Sequence, residues 1–320
     1  MSMEPSPIDQ RAMPGLEDLS IHSIDLHYHA GQERQPGKTL ADYLAHAVMT
    51  GRVILGVTDH LERYIANPLT PTEHPLYEQS VAGFMQYRAD VDALRDAFPT
   101  LKLFFGPEIH SHNRIDIQHI PAGIVEVSDF FLCAIPGVER SLAENTEAML
   151  RRIPEIRDLA ERVGRPTFVC HPFRPSVDYR LVKHDIESWI TALRPRPRGD
   201  FTDDELNTFF RFDVRAVARA CREHTLPVEI NGGTVARIRA LNLPTPLQML
   251  WAAYRLFRDE GVGFVPGSDQ HAFMQGTTRR EGRYVPYDAF EMLGLGAGDI
   301  LFVKQLLEGV KEEVRQHVID

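Results

Sequence analysis

Asp25-Leu26-His27-Tyr28-His29 closes an apolar run that begins at Ile21, and it puts two histidines one residue apart. In an extended strand successive side chains point to opposite faces, so His27 and His29 share a face and can reach one cation. The pair gains weight because later strand-like runs end in matching donors. Val53-Ile54-Leu55-Gly56-Val57-Thr58 reads as a strand buried on both faces and ends in Asp59-His60. Leu101 to Phe105 starts a third strand that leads into Gly106-Pro107-Glu108-Ile109-His110, where continued extension puts Glu108 and His110 on one face. Thr167-Phe168-Val169-Cys170 runs into His171-Pro172, and Gly263 to Gly267 runs into Ser268-Asp269-Gln270-His271. Phe130 to Ile135 and Pro227 to Ile230 complete a set of seven strands.

Helical patterns lie between these runs. Thr39 can cap a helix in which Leu40, Tyr43, Leu44, Ala47 and Val48 recur at helical spacing, and Gly51 is placed to end it. Further helices are expected over 76–98, 143–163 and 213–224, and from Pro246 to Glu260 with Thr245 as cap. Strands alternating with helices imply parallel βαβ units, and the most economical closure is an α/β barrel of (βα)7, TIM-like type. Such barrels carry their chemistry at the C-terminal ends of the strands, where every donor named above falls. Residues 1–20 read as a tail and 21–320 as a single domain, with an insertion at about 174–212. The insertion is rich in Pro and charge, holds one or two short helices and reads as a lid. A second long loop, Leu61 to Pro75, carries Pro68, Pro71 and Pro75.

Composition bounds the function class. With 35 Lys+Arg against 45 Asp+Glu, the net charge of -10 disfavours a nucleic-acid backbone as main partner. Cys133, Cys170 and Cys221 are far apart with no Cys-x-x-Cys spacing, which fits free thiols and a cytoplasmic setting. No apolar run approaches the roughly 20 residues that span a bilayer. Imidazole and carboxylate together suit zinc, manganese, iron or nickel, whereas an oxygen-only set would suit magnesium or calcium. The donors outnumber the needs of one tetrahedral ion, so two or three divalent ions are expected, with Glu108 or Asp269 as bridge. Cys170, next to His171, is expected to point the opposite way, into the helix layer, as core.

The motifs DLHYH (25–29), GVTDH (56–60), GPE (106–108), CHP (170–172), EINGG (229–233) and GSDQH (267–271) resemble, in this order, the PHP superfamily of metal-dependent phosphoesterases. The nearest members are histidinol-phosphatase-like, and the likeness spans about Ile21 to Ala272. The resemblance implies a distorted seven-stranded barrel whose two or three ions (zinc, manganese or iron) serve the hydrolysis of a small phosphate monoester by activated water. It further implies that His27, His29, Glu108 and Asp269 hold one ion. Glu108 would bridge to a second with His171, and His60 and His271 would serve a third.

Two positions depart from the family pattern. Where relatives carry a histidine after the fourth strand, this chain reads Ile135-Pro136-Gly137, and His110 is the candidate to supply the missing nitrogen. In the loop after His29, Glu33 is the only carboxylate available as a ligand. Asn231 resembles the family's substrate-side asparagine, with a turn-forming Asn-Gly as the alternative. Arg174, ahead of Arg34 and Arg279, is the candidate to fork a phosphate and support catalysis. Asp269 or His271 can assist proton transfer. The alternatives are hydrolysis of a phosphodiester, C–N or lactone bond on the same site, nucleic-acid processing, or a metal-stabilised module that binds without turnover.

Overall fold

A computed structural model describes residues 19–31, 37–61, 75–110, 117–183, 200–240, 244–271 and 286–309. Seven strands follow one another around the sheet in sequence order: β1 (Ile24–His29), β2 (Ile54–His60), β3 (Lys102–Ile109), β4 (Phe131–Ala134), β5 (Thr167–Cys170), β6 (Val228–Asn231) and β7 (Phe264–Gly267). All neighbouring pairs are parallel. The ring closes beyond the end of β7, where the Asp269 N–H donates to the His27 carbonyl at 2.8 Å and the His29 N–H to the Gln270 carbonyl at 2.9 Å. The result is the expected seven-stranded TIM-like barrel, nearly closed.

The fifth strand has the expected bounds, and each other strand shifts by a residue or more at one end or both. Ile21–Ser23 forms a 3-10 turn, capped by the Ser20 side chain, ahead of β1. β3 extends through Glu108 to Ile109, so the extension on which the shared face of Glu108 and His110 depended does continue past Pro107. Thr39 caps the helix Leu40–Met49 through a reciprocal capping box with Asp42, and Gly51 follows with φ +79°. The helix expected from Pro246 begins two residues earlier, as Pro244–Asp259, which places Thr245 inside its first turn instead of at its cap. Asn231-Gly232 is no turn: Asn231 caps a helix, Gly232–Arg239, by accepting from the Thr234 N–H at 2.7 Å. The excursion after β5 holds helices Arg174–Lys183 and Asp203–Phe210. Among the described residues no helix is long and apolar enough to cross a membrane.

Two packing features position the site. β1 bulges against β2: Asp25 faces Leu55 and Tyr28 faces Val57, leaving Leu26 and His27 opposite Gly56 alone. A Cβ on Gly56 would lie 2.9 Å from the Leu26 Cα and carbonyl, so the bulge needs glycine there. After the bulge, Tyr28 turns outward, its hydroxyl 2.9 Å from His46 Nδ1, while His27 and His29 turn in. Beneath the mouth, Phe130 and Phe168 stack at 6.1 Å, and Phe302 from the helix at 301–309 meets them edge-on. These rings fill the barrel with apolar matter, so the polar groups above them are cut off from water on that side.

Candidate metal centre

The site is built around one carboxylate. Glu108 is fully buried, and its two oxygens face two different groups. Oε2 lies 3.2 Å from His27 Nε2, 3.1 Å from His29 Nε2 and 3.2 Å from His60 Nδ1. Oε1 lies 2.6 Å from His171 Nε2 and 3.8 Å from the Cys170 sulfur. Burial opposes the charge on Glu108, but His60, His27 and His171 hold its carboxyl well below the usual carboxylate range.

Glu229 decides what His27 can do. Its Oε1 lies 2.8 Å from His27 Nδ1, and a carboxylate only accepts, so Nδ1 carries the hydrogen. The neutral ring then presents a lone pair at Nε2, which sits 2.9 Å from His29 Nε2 and faces Glu108 as well. A cation placed among these three atoms would satisfy all of them at once. Burial works against a charged His27, yet Glu229 and Glu108 raise its pKa well above the ordinary imidazole value, so a proton fills the role when no metal does. His29 Nδ1 and His171 Nδ1 are buried without a hydrogen-bond partner. This donor set, with a carboxylate fixing the ligand tautomer from behind, fits a divalent transition metal.

Glu229 is itself tightly held. It accepts from the Asn231 amide at 3.0 Å and, through Oε2, from the His171 backbone N–H at 2.7 Å. A Cβ on Gly267 would come within 2.0 Å of Glu229 Oε1 and 2.8 Å of the His27 Cβ, so glycine makes room for the contact.

The remaining donors gather around this pair. Ligand atoms of His27, His29 and Asp269 lie within 4.8 Å of one another, and so do those of His29, His60 and His271, of His60, Glu108 and His110, and of Glu108, Cys170 and His171. The His271 ring stacks on His29 at 4.0 Å, and its Nδ1 is 3.2 Å from Asp269 Oδ1. Arg174 donates to Asp269 Oδ2 at 2.5 Å. Two non-glycine residues adopt left-handed backbone at the mouth, His171 with φ 31° and Asp269 with φ 56°. Such conformations are costly and persist where the surroundings enforce them.

The structure thus brings His27, His29, His60, Glu108, His110, His171, Asp269 and His271 into one cluster, with Arg174 at its edge. Glu33, Arg34 and Arg279 lie outside the described residues. Asn231 borders the cluster, but its amide serves Glu229 and the Thr234 N–H. Cys170 corrects the sequence reading: it points into the barrel, toward Glu108. The reason is the backbone at His171. Phe168 and Cys170 share the inward face by ordinary alternation, and the left-handed turn at His171 breaks that alternation and swings the next side chain inward too. Glu229 went unrecognised as a functional residue, although a carboxylate on the inward face of a buried strand is a signal in itself.

No family model matches the chain. A protein of Edwardsiella ictaluri (strain 93-146) named as a probable phosphatase is 24% identical over 251 residues, covering 78% of this chain and 79% of its own. Among solved structures, histidinol phosphate phosphatase from Lactococcus lactis subsp. lactis Il1403, complexed with zinc, L-histidinol and phosphate, aligns with TM-score 0.44 and 16% identity, covering 89% of this chain and 94% of that one. A candidate histidinol phosphatase from Listeria monocytogenes aligns with TM-score 0.47 and 11% identity, over 78% of this chain and 95% of that one. The curated relative thus carries a phosphatase name.

Proposed function

We propose that this chain is a metal-dependent phosphoesterase that cleaves a small phosphate monoester. The carrying observation is the convergence of His27 Nε2, His29 Nε2 and Glu108 Oε2 on one buried point, with Glu229 holding the His27 proton on the far side of the ring. The motif resemblance and the phosphatase relative support the choice of bond. Residues 21–320 act as one unit, with 174–212 as an insertion in it.

His27, His29, Glu108 and Asp269 would hold one ion; Glu108 would bridge to a second held by His171, with His110 as the candidate for its missing nitrogen; His60 and His271 would serve a third. Glu33 remains a candidate ligand from the loop after β1. Zinc, manganese and iron all suit these donors. Ions bound there lower the pKa of water and offset charge on the phosphoryl oxygens. The chain's own residues do the rest. Glu229 and Asn231 fix the His27 ring. Arg174, partly exposed beside Asp269, meets a phosphate entering the mouth and restrains it as a fork. Asp269 Oδ1 stands 3.2 Å from His271 Nδ1 and orients that ring toward the ion it would serve. The enzyme works in the cytoplasm on a small phosphorylated molecule, and the acidic chain is poorly suited to nucleic acid.

A screen of phosphate monoesters, diesters, amides and lactones on metal-loaded protein tests this, with His27→Ala as control. Monoester turnover that H27A and a chelator both abolish is the expected result. Turnover confined to another bond type would shift the reading to a different hydrolase, and tight metal binding without any turnover would leave a binding module.

A further inference from the structure

We propose that the Cys170 thiolate is a metal ligand, completing with His171 and Glu108 Oε1 the donor set on the side of the cluster where β4 offers none. The inference rests on the metal-dependent reading above and adds to it a residue that the sequence reading placed in the core.

The two oxygens of Glu108 divide the donors unequally. On the Oε2 side stand His27, His29 and His60, with Asp269 and His271 next to them. His110 clusters with His60 and Glu108, and its ring lies between those of His60 (5.6 Å) and His171 (6.3 Å). Oε1 itself faces His171 and Cys170. β4 ends at Ala134, and the following Ile135-Pro136-Gly137 has no side chain able to bind a metal. An ion held there by Glu108 Oε1 and His171 gains a further protein donor in Cys170.

The geometry suits coordination better than hydrogen bonding. The sulfur is 3.8 Å from Glu108 Oε1, a distance at which S–H to oxygen is weak. Zinc bonds of about 2.3 Å to sulfur and about 2.0 Å to oxygen set a tetrahedral edge of about 3.5 Å, close to the observed spacing. Cys170 is fully buried, and the sulfur, a His171 ring nitrogen and a Glu108 oxygen all lie within 4.8 Å of one another. Cys133 and Cys221 are equally buried but stand in no such cluster among the described residues, so burial alone does not account for Cys170. On coordination the thiol proton leaves to solvent and the metal takes its place. A thiolate also biases this position toward zinc, cobalt or iron and away from manganese.

Cobalt(II) reports sulfur ligation through a near-ultraviolet thiolate-to-metal charge-transfer band. Titrating cobalt into metal-free full-length protein is expected to produce that band in the wild type and in Cys133→Ser, and not in Cys170→Ser. Metal analysis is expected to find one bound ion fewer in C170S. Circular dichroism and melting of the metal-free proteins establish that the variants fold. Full cobalt binding without the band, or a band that survives in C170S, overturns the inference while the metal-dependent reading stands. Wild type that binds no cobalt overturns both. X-ray absorption on zinc-loaded wild type needs no variant: a sulfur shell near about 2.3 Å is expected, and a shell of nitrogen and oxygen alone refutes the assignment.

Discussion

β1 and β5 both deliver donors to Glu108, but by different backbone devices. β1 does so by alternation: once the bulge opposite Gly56 has set the phase, His27 and His29 turn inward and Tyr28 outward. β5 does so by breaking alternation. Cys170 faces in by the regular rule, and His171 follows it to the same side because its backbone is left-handed. One device gives two imidazoles, alternate residues of one strand that meet at 2.9 Å. The other gives adjacent, unlike donors, a thiol and an imidazole, from a strand of four residues. Glu108 is where the two meet, one oxygen toward each.

The largest effect is expected where the two devices join. Glu108→Gln removes the charge that both sides share, so bound metal and phosphatase activity should both fall to background. His171→Ala, by contrast, touches only the β5 side, and metal analysis should show loss of one ion with the β1-side ions kept. If H171A empties the whole site as E108Q does, the separation into two sides is wrong.

A smaller effect, but on both sides at once, is expected from Glu229→Gln. Glu229 fixes the His27 tautomer through Oε1 and receives the His171 backbone N–H through Oε2. Loss of such a supporting carboxylate typically costs about 10–100-fold in metal affinity or activity. Competition with a chromophoric chelator should place E229Q in that window for every ion, with the metal-free fold unchanged. A loss confined to one ion would mean that Glu229 serves only one strand.

The contrast between β1 and β5 also explains what the sequence made legible. Seven apolar runs with helical patterns between them determine a parallel barrel, and donors at strand ends then fall at one mouth, whatever the exact strand boundaries. His27, His29, His60 and Glu108 follow from two-residue periodicity. Cys170 does not, because a single backbone torsion at His171 reverses the parity of everything after it, and no residue type announces that torsion. The helix at Gly232–Arg239 stayed hidden for a related reason. Its first residues are two glycines, poor helix formers that read as a turn, and they are tolerated because Asn231 caps them and the barrel wall packs around them. Glu229 was visible as a residue but not as a role, since its partners are 202 residues away at His27 and 58 away at His171.

The smallest effect separates the site from the frame that carries it, and β3 contains both. At its C-terminal end Glu108 gathers the donors; at Phe105 the same strand is tied to the helix Pro75–Ala93. Arg88 of that helix donates to Asp129 Oδ2 at 2.9 Å and to the Val127 carbonyl at 3.0 Å, and Asp129 accepts the Phe105 N–H at 2.8 Å. Arg88→Ala removes these partly buried, charge-assisted bonds, and a loss of about 1–2 kcal/mol is expected. Calorimetry should show a Tm lower by roughly 2–5 °C, with metal content and activity per folded molecule unchanged. The pH dependence has a definite sign. Burial opposes the charge on Asp92, but Arg88 and Arg95 hold its carboxyl below the ordinary value. A carboxyl lowered on folding stabilises above its unfolded pKa, and that contribution disappears as pH falls through the folded one. The gap between wild type and R88A should therefore be full near neutrality and narrow in acid. Metal loss in R88A would show instead that the tie at Phe105 sets the position of Glu108, three residues along the same strand.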